Sequence, residues 1–183
     1  MSPNRTLTLT FSSLILLGMA SCSGRVSQCN SLISTLNEAQ PFRVEYEQNM
    51  SDALTQISGA QDLAQTQEAA RQYITTVETV TDQTSDLVQD LASLDIVDEQ
   101  LLEYRSRYTT LITQQTAALE TAQDSMIILA TVESEAAFAQ DFDQFQQRTN
   151  GAYSVLQSLA TEETTLIEGI NAYCDPSANA DAQ

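Results

Sequence analysis

The stretch from Leu63 to Leu94 constrains the fold more than any other part of the chain. Leu63, Thr66, Ala70, Tyr73, Val77, Val80, Thr84, Leu87, Leu91 and Leu94 follow one another in an unbroken alternation of three- and four-residue steps. That spacing returns side chains to one face of an α-helix, whereas a strand would need a period of two. A helix with such a seam gains its stability by packing the seam against partner helices. The rest of the chain can supply them. Between Arg25 and Tyr173 there is one proline, Pro41, and three glycines, Gly59, Gly151 and Gly169, amid abundant Ala, Gln, Glu, Leu and Thr. So few breakers argue for long helices and against a β fold.

Three other stretches carry the same periodicity. Cys29, Leu32, Leu36, Ala39, Tyr46, Met50, Ala53 and Ile57 hold one phase across Pro41, with Arg43 in the slot between Ala39 and Tyr46. The retained phase predicts a helix that kinks at Pro41 but continues to Ser58-Gly59. Asp95-Ile96-Val97-Asp98 reads as a corner, with Asp98 as the next N-cap and Glu99 in the first turn. The third helix carries Leu101, Tyr104, Tyr108, Leu111, Ala118, Ala122 and Leu129, widened by Leu102, Ile112, Leu119 and Met126. Thr131 to Ser134 forms the last corner. The fourth helix carries Phe138, Phe142, Phe145, Ala152, Leu156, Leu159, Leu166, Ile170 and Tyr173, and Asn150-Gly151 is expected to bend or fray it.

Three helices of about 34 residues, each roughly 51 Å long, and a slightly longer fourth are joined by short corners. The pattern predicts an all-α, up-down-up-down antiparallel four-helix bundle over 28–174, with a three-helix or splayed arrangement as the alternative. Leu87, Leu91, Leu111, Leu156 and Leu159 are expected to be largely buried. Asp175-Pro176 opens a tail, 175–183, that reads as disordered.

The N-terminus reads as an address. Arg5 is its lone positive charge, Leu7 to Leu17 is mostly apolar, and small residues follow. The run is far short of the roughly 20 residues that span a bilayer. Leu16-Leu17-Gly18-Met19-Ala20-Ser21-Cys22 resembles a bacterial lipobox, with Met19 standing where Leu is commonest. The resemblance implies a bacterial lipoprotein precursor: 1–21 a cleaved signal peptide, Cys22 the lipidated first residue of the mature chain, and 22–27 a short tether. A thioether diacylglycerol and an N-acyl chain such as palmitate on Cys22 would anchor the chain stably, because more than one acyl chain is present. The implied location is a bacterial membrane, facing the periplasm, lumen or cell surface.

Charge and cysteine content narrow the function. The chain has 25 acidic residues, seven arginines, no lysine and no histidine, for a formal net charge of −18. Removal of Arg5 with the signal peptide makes it one unit more negative. Nucleic acid is excluded as a partner because no cationic patch exists to displace its counterions. Anionic headgroups are equally disfavoured as a contact for the domain, which leaves the membrane contact to the lipid on Cys22. The acidic surface suits solubility, and a basic protein partner is the sharper alternative. Without histidine or lysine there is no Ser-His or Cys-His pair, no amine nucleophile and no Glu-x-x-His di-iron pattern. The reading is therefore no enzyme, no cofactor and no metal. Three cysteines leave one pair once Cys22 is assigned to lipid. Export favours a disulfide, and an even-numbered up-down bundle brings the start of its first helix beside the end of its last. A Cys29–Cys174 disulfide is the expectation.

Other candidate sites have plain structural readings. The Phe138, Phe142, Phe145 stripe could line a groove, but its spacing is that of a buried face. Tyr104-Arg105-Ser106-Arg107-Tyr108 adjoins two cations, and Glu103 stands in the favourable order for a pair with Arg107 on a solvated face. Asp95, Asp98 and Glu99 lack the spacing of a calcium loop and read as corner and cap.

The stretch Cys22-Ser23-Gly24-Arg25-Val26-Ser27-Gln28-Cys29-Asn30-Ser31-Leu32-Ile33 is similar to the start of uncharacterised cyanobacterial secreted helical proteins. It carries no functional motif and implies a lineage alone. The expected architecture also resembles the lipid-anchored four-helix accessory subunits of cyanobacterial photosystem II, at the level of fold and anchor. The resulting expectation is a membrane-anchored, non-catalytic helical binding or structural module. Its rivals are an accessory subunit docking through an acidic face and a carrier of a small ligand or cation. Replacing Cys22→Ala should abolish fatty-acid incorporation and move the domain to the soluble fraction; equal membrane retention of the variant would reject the anchor.

Overall fold

The structure, a computed structural model, describes residues 20–175 and is an all-helical bundle. Its four helices are α1 (Ala20–Gly59), α2 (Leu63–Ser93), α3 (Glu99–Thr131) and α4 (Glu135–Cys174). The N-terminal segment 1–19, expected to be part of a signal peptide, and the expected tail 176–183 lie outside the described residues.

Local chemistry sets the boundaries. Asp62, Asp98 and Ser134 each accept a hydrogen bond from the backbone N–H three residues on, at 2.8, 3.1 and 3.1 Å. Each satisfies one of the donors left over at a helix start. Glu99 and Glu135 lie in the first turns that follow, where the helix dipole favours negative charge. Pro41 sits inside α1, which continues past it as expected. The stretch 22–27, expected as a tether, belongs to the helix that starts at Ala20. Asn150-Gly151 does not interrupt α4. Ala152 is buried immediately after the glycine, and its packing holds that turn in place.

The helices meet at two differently built ends. At one end, the Gln28 side chain in α1 accepts from the Val97 and Asp98 N–H groups of the α2–α3 corner, at 2.7 and 3.0 Å. Tyr173 in α4 donates to the Asp98 carboxylate at 3.0 Å. The Arg25 guanidinium lies 5.4 Å from the Tyr173 ring centroid, within cation–π range. Tyr104 packs its edge against Tyr173, and Gly169 makes room for it: a Cβ there would stand 3.4 Å from the Tyr104 hydroxyl. Cys29 and Cys174 are joined by a disulfide at this same end, with Cα atoms 5.7 Å apart. At the other end, Gln67 in α2 donates to the Val132 carbonyl just past α3, at 2.6 Å.

Two core clusters fill the space between the ends. The first lies by the disulfide and centres on Leu32, Leu91, Leu101, Tyr108 and Ile170. The second is built on Ala53, Tyr73, Val77, Ala122 and Met126. Leu87, Leu91, Leu111 and Leu159 are buried, as their seam positions require. Leu156 is a correction: it is half-buried because it borders a gap between the two clusters. Phe142 is another, at 43% exposed. At 3.6 residues per turn it stands about 60° round the helix from Phe145, at the margin of the buried face. The ring of Phe138 covers it edge-on, with centroids 5.7 Å apart. Among the described residues no helix is long and apolar enough to cross a membrane.

The backbones of α1 and α4 come together at few places, so the disulfide is a principal tie between them. Closing a separation of 145 residues stabilises by roughly 5 kcal/mol in the chain-entropy model, and engineered cases commonly deliver less. Reduction, or the Cys174→Ser substitution, should cost about 2–4 kcal/mol in urea unfolding. Peptide mapping of the alkylated protein without reductant should recover Cys29 and Cys174 in one linked peptide.

Candidate functional site

Between the two clusters every helix sets a polar residue into its apolar seam. These residues are Arg43 in α1, Thr84 in α2, Gln115 in α3 and Glu163 in α4. Counted from the disulfide end at 1.5 Å per residue, they lie roughly 14 to 24 Å along their helices, and all four line one cavity. They therefore meet at one level of the bundle. The sequence placed Arg43 and Thr84 in their seams but passed over Gln115 and Glu163. The signal was there: the steps Leu111 to Ala118 and Leu159 to Leu166 each skip one slot, and these two residues occupy the skipped slots.

Glu163 is the centre of the level. It is 7% exposed, and its carboxylate accepts from three side chains. Arg43 ion-pairs with Oε1, the Tyr108 hydroxyl donates to the same oxygen at 3.2 Å, and Gln115 donates to Oε2 at 3.0 Å. Burying a carboxylate is costly unless it is paired and its lone pairs are used, and all of these donors serve that end. Burial works against the charge of Arg43, but its hydrogen bond and attraction to Glu163 outweigh this and raise its pKa above the ordinary value. Burial, and next the negative charge of Glu163, push the Tyr108 phenol up to about 12. Thr84 spends its hydroxyl on the Val80 carbonyl of its own helix, at 2.7 Å.

Polar groups at this level leave the interior incompletely filled. A cavity of about 260 Å³ results, lined by all four helices. Its floor comes from α2 and α3 through Val80, Leu87, Ile112 and Leu119, and its walls come from α1 and α4. Tyr46, Glu47 and Ala160 belong to those walls, and the cavity opens between them. An apolar chamber with a few convergent polar groups is the usual form of a small-molecule site. A larger groove of about 430 Å³ runs between α3 and α4 over Ala117, Ala118 and Ala152, but it is shallow. A further polar group lies deeper: the Tyr73 hydroxyl is buried near the phenols of Tyr46 and Tyr153 and makes no hydrogen bond of good geometry.

The sites expected from sequence are distributed elsewhere. Cys29 and Cys174 meet at the closed end, and the side chain of Cys22 lies outside what the structure describes. Asp98 is a cap, as its position implied. The Tyr104–Tyr108 segment is no plain solvated face. Arg105 donates to the Leu94 carbonyl at 3.0 Å, Tyr108 is buried, and the expected Glu103–Arg107 pair is not among the ion pairs of the described residues. Phe138 and Phe145 are half-buried and pack their rings edge to face, centroids 5.6 Å apart. Among the described residues no three or more His, Cys, Asp or Glu side chains converge as a metal-binding group.

Comparisons with protein-family models, with curated proteins and with solved structures find no match.

The Glu163→Ala change leaves the buried Tyr108 hydroxyl without its acceptor and should cost about 2–4 kcal/mol in urea unfolding. Alkaline titration tests the buried phenols. Burial first, and then neighbouring phenols and carboxylates, raise Tyr46, Tyr73 and Tyr108 above the ordinary value. The folded chain thus keeps protons that the unfolded chain loses near pH 10. Their stabilising contribution is complete below about pH 10 and is lost as pH rises through the folded values. Absorbance at the phenolate band should show these tyrosines ionising late, together with loss of the helical signal, and Tyr108→Phe should remove one late-ionising group.

Proposed function

We propose that the chain is an exported lipoprotein, held on a membrane through lipid on Cys22, that binds a small molecule inside its helical domain without transforming it. In this reading the helices run up-down-up-down as an antiparallel four-helix bundle. The contacts of Gln28 and Tyr173 with the α2–α3 corner, and of Gln67 with the end of α3, are what that topology requires. The observation that carries the binding role is the chamber of about 260 Å³ at the level of Glu163, where apolar walls from four helices meet convergent polar side chains. A bundle serving only as a spacer gains nothing from such a gap, since close packing there would stabilise it further. The case against catalysis rests on the chemistry of the same place. Glu163 is fully engaged by its donors, and the sequence offers no histidine or lysine to act beside it.

Saturation-transfer NMR against a panel of small one-ring compounds tests this role. Hits are expected with the native chain and should vanish in Ala160→Trp and in Thr84→Met, which each add volume to the cavity lining. Circular dichroism of both variants should stay helical. An absence of hits, or hits that persist in both folded variants, would remove the cavity as the binding site.

A further inference from the structure

We propose that the ligand of this cavity is a small amphipathic cation: an apolar body of about one ring bearing a single ammonium group. The proposal rests on the binding role given above and adds the chemical class. Size comes first. An apolar cavity of about 150 Å³ takes up benzene. The chamber here, at about 260 Å³, has room for one ring and a short arm, and not for a lipid or a nucleotide.

The charges around the chamber decide the rest. Three charged side chains line it: Arg43, Glu47 and Glu163. Arg43 is the one cation, and it is already committed to Glu163. Glu163 in turn spends both oxygens on Arg43, Tyr108 and Gln115. Glu47 is different. It is exposed on α1 next to Tyr46 and makes no hydrogen bond or close ion pair among the described residues, its charge acting on Arg43 only through space. An entering carboxylate would face two carboxylates and a guanidinium that is not free to receive it, within a chain of net charge −18. An entering ammonium would find Glu47 attracted to Arg43 at a distance but without a hydrogen-bond or close ion-pair partner among the described residues. It would also have the half-buried phenol ring of Tyr46 beside it for a cation–π contact. The apolar body then occupies the floor of Val80, Leu87, Ile112 and Leu119, from which water is displaced at little cost. Field and pocket thus act in the same direction: the acidic surface raises the local concentration of cations, and the mouth retains those with an apolar body.

Three probes of matched shape test the charge preference: 2-phenylethylammonium, 2-phenylethanol and 3-phenylpropanoate. Each is titrated by calorimetry into the whole chain with its Cys29–Cys174 bond formed. The ammonium should bind at least about tenfold more tightly than the alcohol, and the carboxylate more weakly than either, the preference a single partly solvated charge contact can supply. Glu47→Gln should remove that tenfold preference and leave the alcohol unchanged. Glu45→Gln makes the same change in net charge on a neighbouring exposed position outside the cavity, and it should leave the ammonium affinity as it was. Ala160→Trp should abolish binding of the ammonium and the alcohol. Equal binding of all three probes, or an effect of Glu45→Gln as large as that of Glu47→Gln, overturns the charge assignment while leaving the binding role intact. If none of the three binds, the assignment falls, and the broader panel above decides the binding role separately.

Discussion

The buried carboxylate of Glu163 is the interaction on which the middle of this molecule depends. It draws Arg43 from α1 and Tyr108 and Gln115 from α3 onto one residue of α4. A buried ion is weak evidence for stability, because its desolvation offsets most of what its partners return. Its geometric effect is clearer. Sliding α4 by one turn against α1 or α3 would leave the carboxylate facing apolar side chains, at a cost of several kcal/mol. The network therefore fixes the register of three helices at once. It matters most between α1 and α4, whose backbones approach at few other places.

From that network follows the asymmetry of the whole structure. Towards the disulfide, the seams are leucine-rich and the end is tied by Gln28, Asp98, Tyr173 and the Cys29–Cys174 bond. Away from it, the seams turn to alanine and aromatic residues, and the first half of α4 is largely exposed, with Phe142 at the margin. The polar level joins these two differently packed halves. Side chains there are held by hydrogen bonds and cannot shift freely to fill space. A cavity at that level is the packing consequence, and it opens along the seam that has the fewest contacts.

Threonine has a quieter role in making such helices possible. Thr76, Thr84, Thr116 and Thr131 each donate a hydroxyl hydrogen bond to the carbonyl four residues back in their own helix. The polar atom is satisfied locally, so a threonine can occupy a seam position without needing a partner across the interface. This is how α2 keeps an unbroken seam that includes Thr84. It also lets Thr84 and Thr116 line the cavity with their hydroxyls already satisfied within their own helices.

Much of the fold was legible along the chain, because helix spacing, caps and corners are local properties. Asp98 and Ser134 lie at the starts of their helices in the sequence as in space, and the seam of α2 can be counted residue by residue. The Cys29–Cys174 pair could be reasoned out because, in an up-down arrangement, an even number of helices returns the chain to its starting end. The candidate site was legible only in fragments. Arg43 looked like an interruption in one seam, and Gln115 and Glu163 like unremarked gaps in two others. What the sequence by itself determined was the set of helices and which face of each is apolar, since a period of 3.6 residues is written in the order of residues. Only the tertiary structure decided that these interruptions fall at the same height and form one network beside one cavity. That alignment depends on the corner lengths and the axial register between helices, which no single helix encodes.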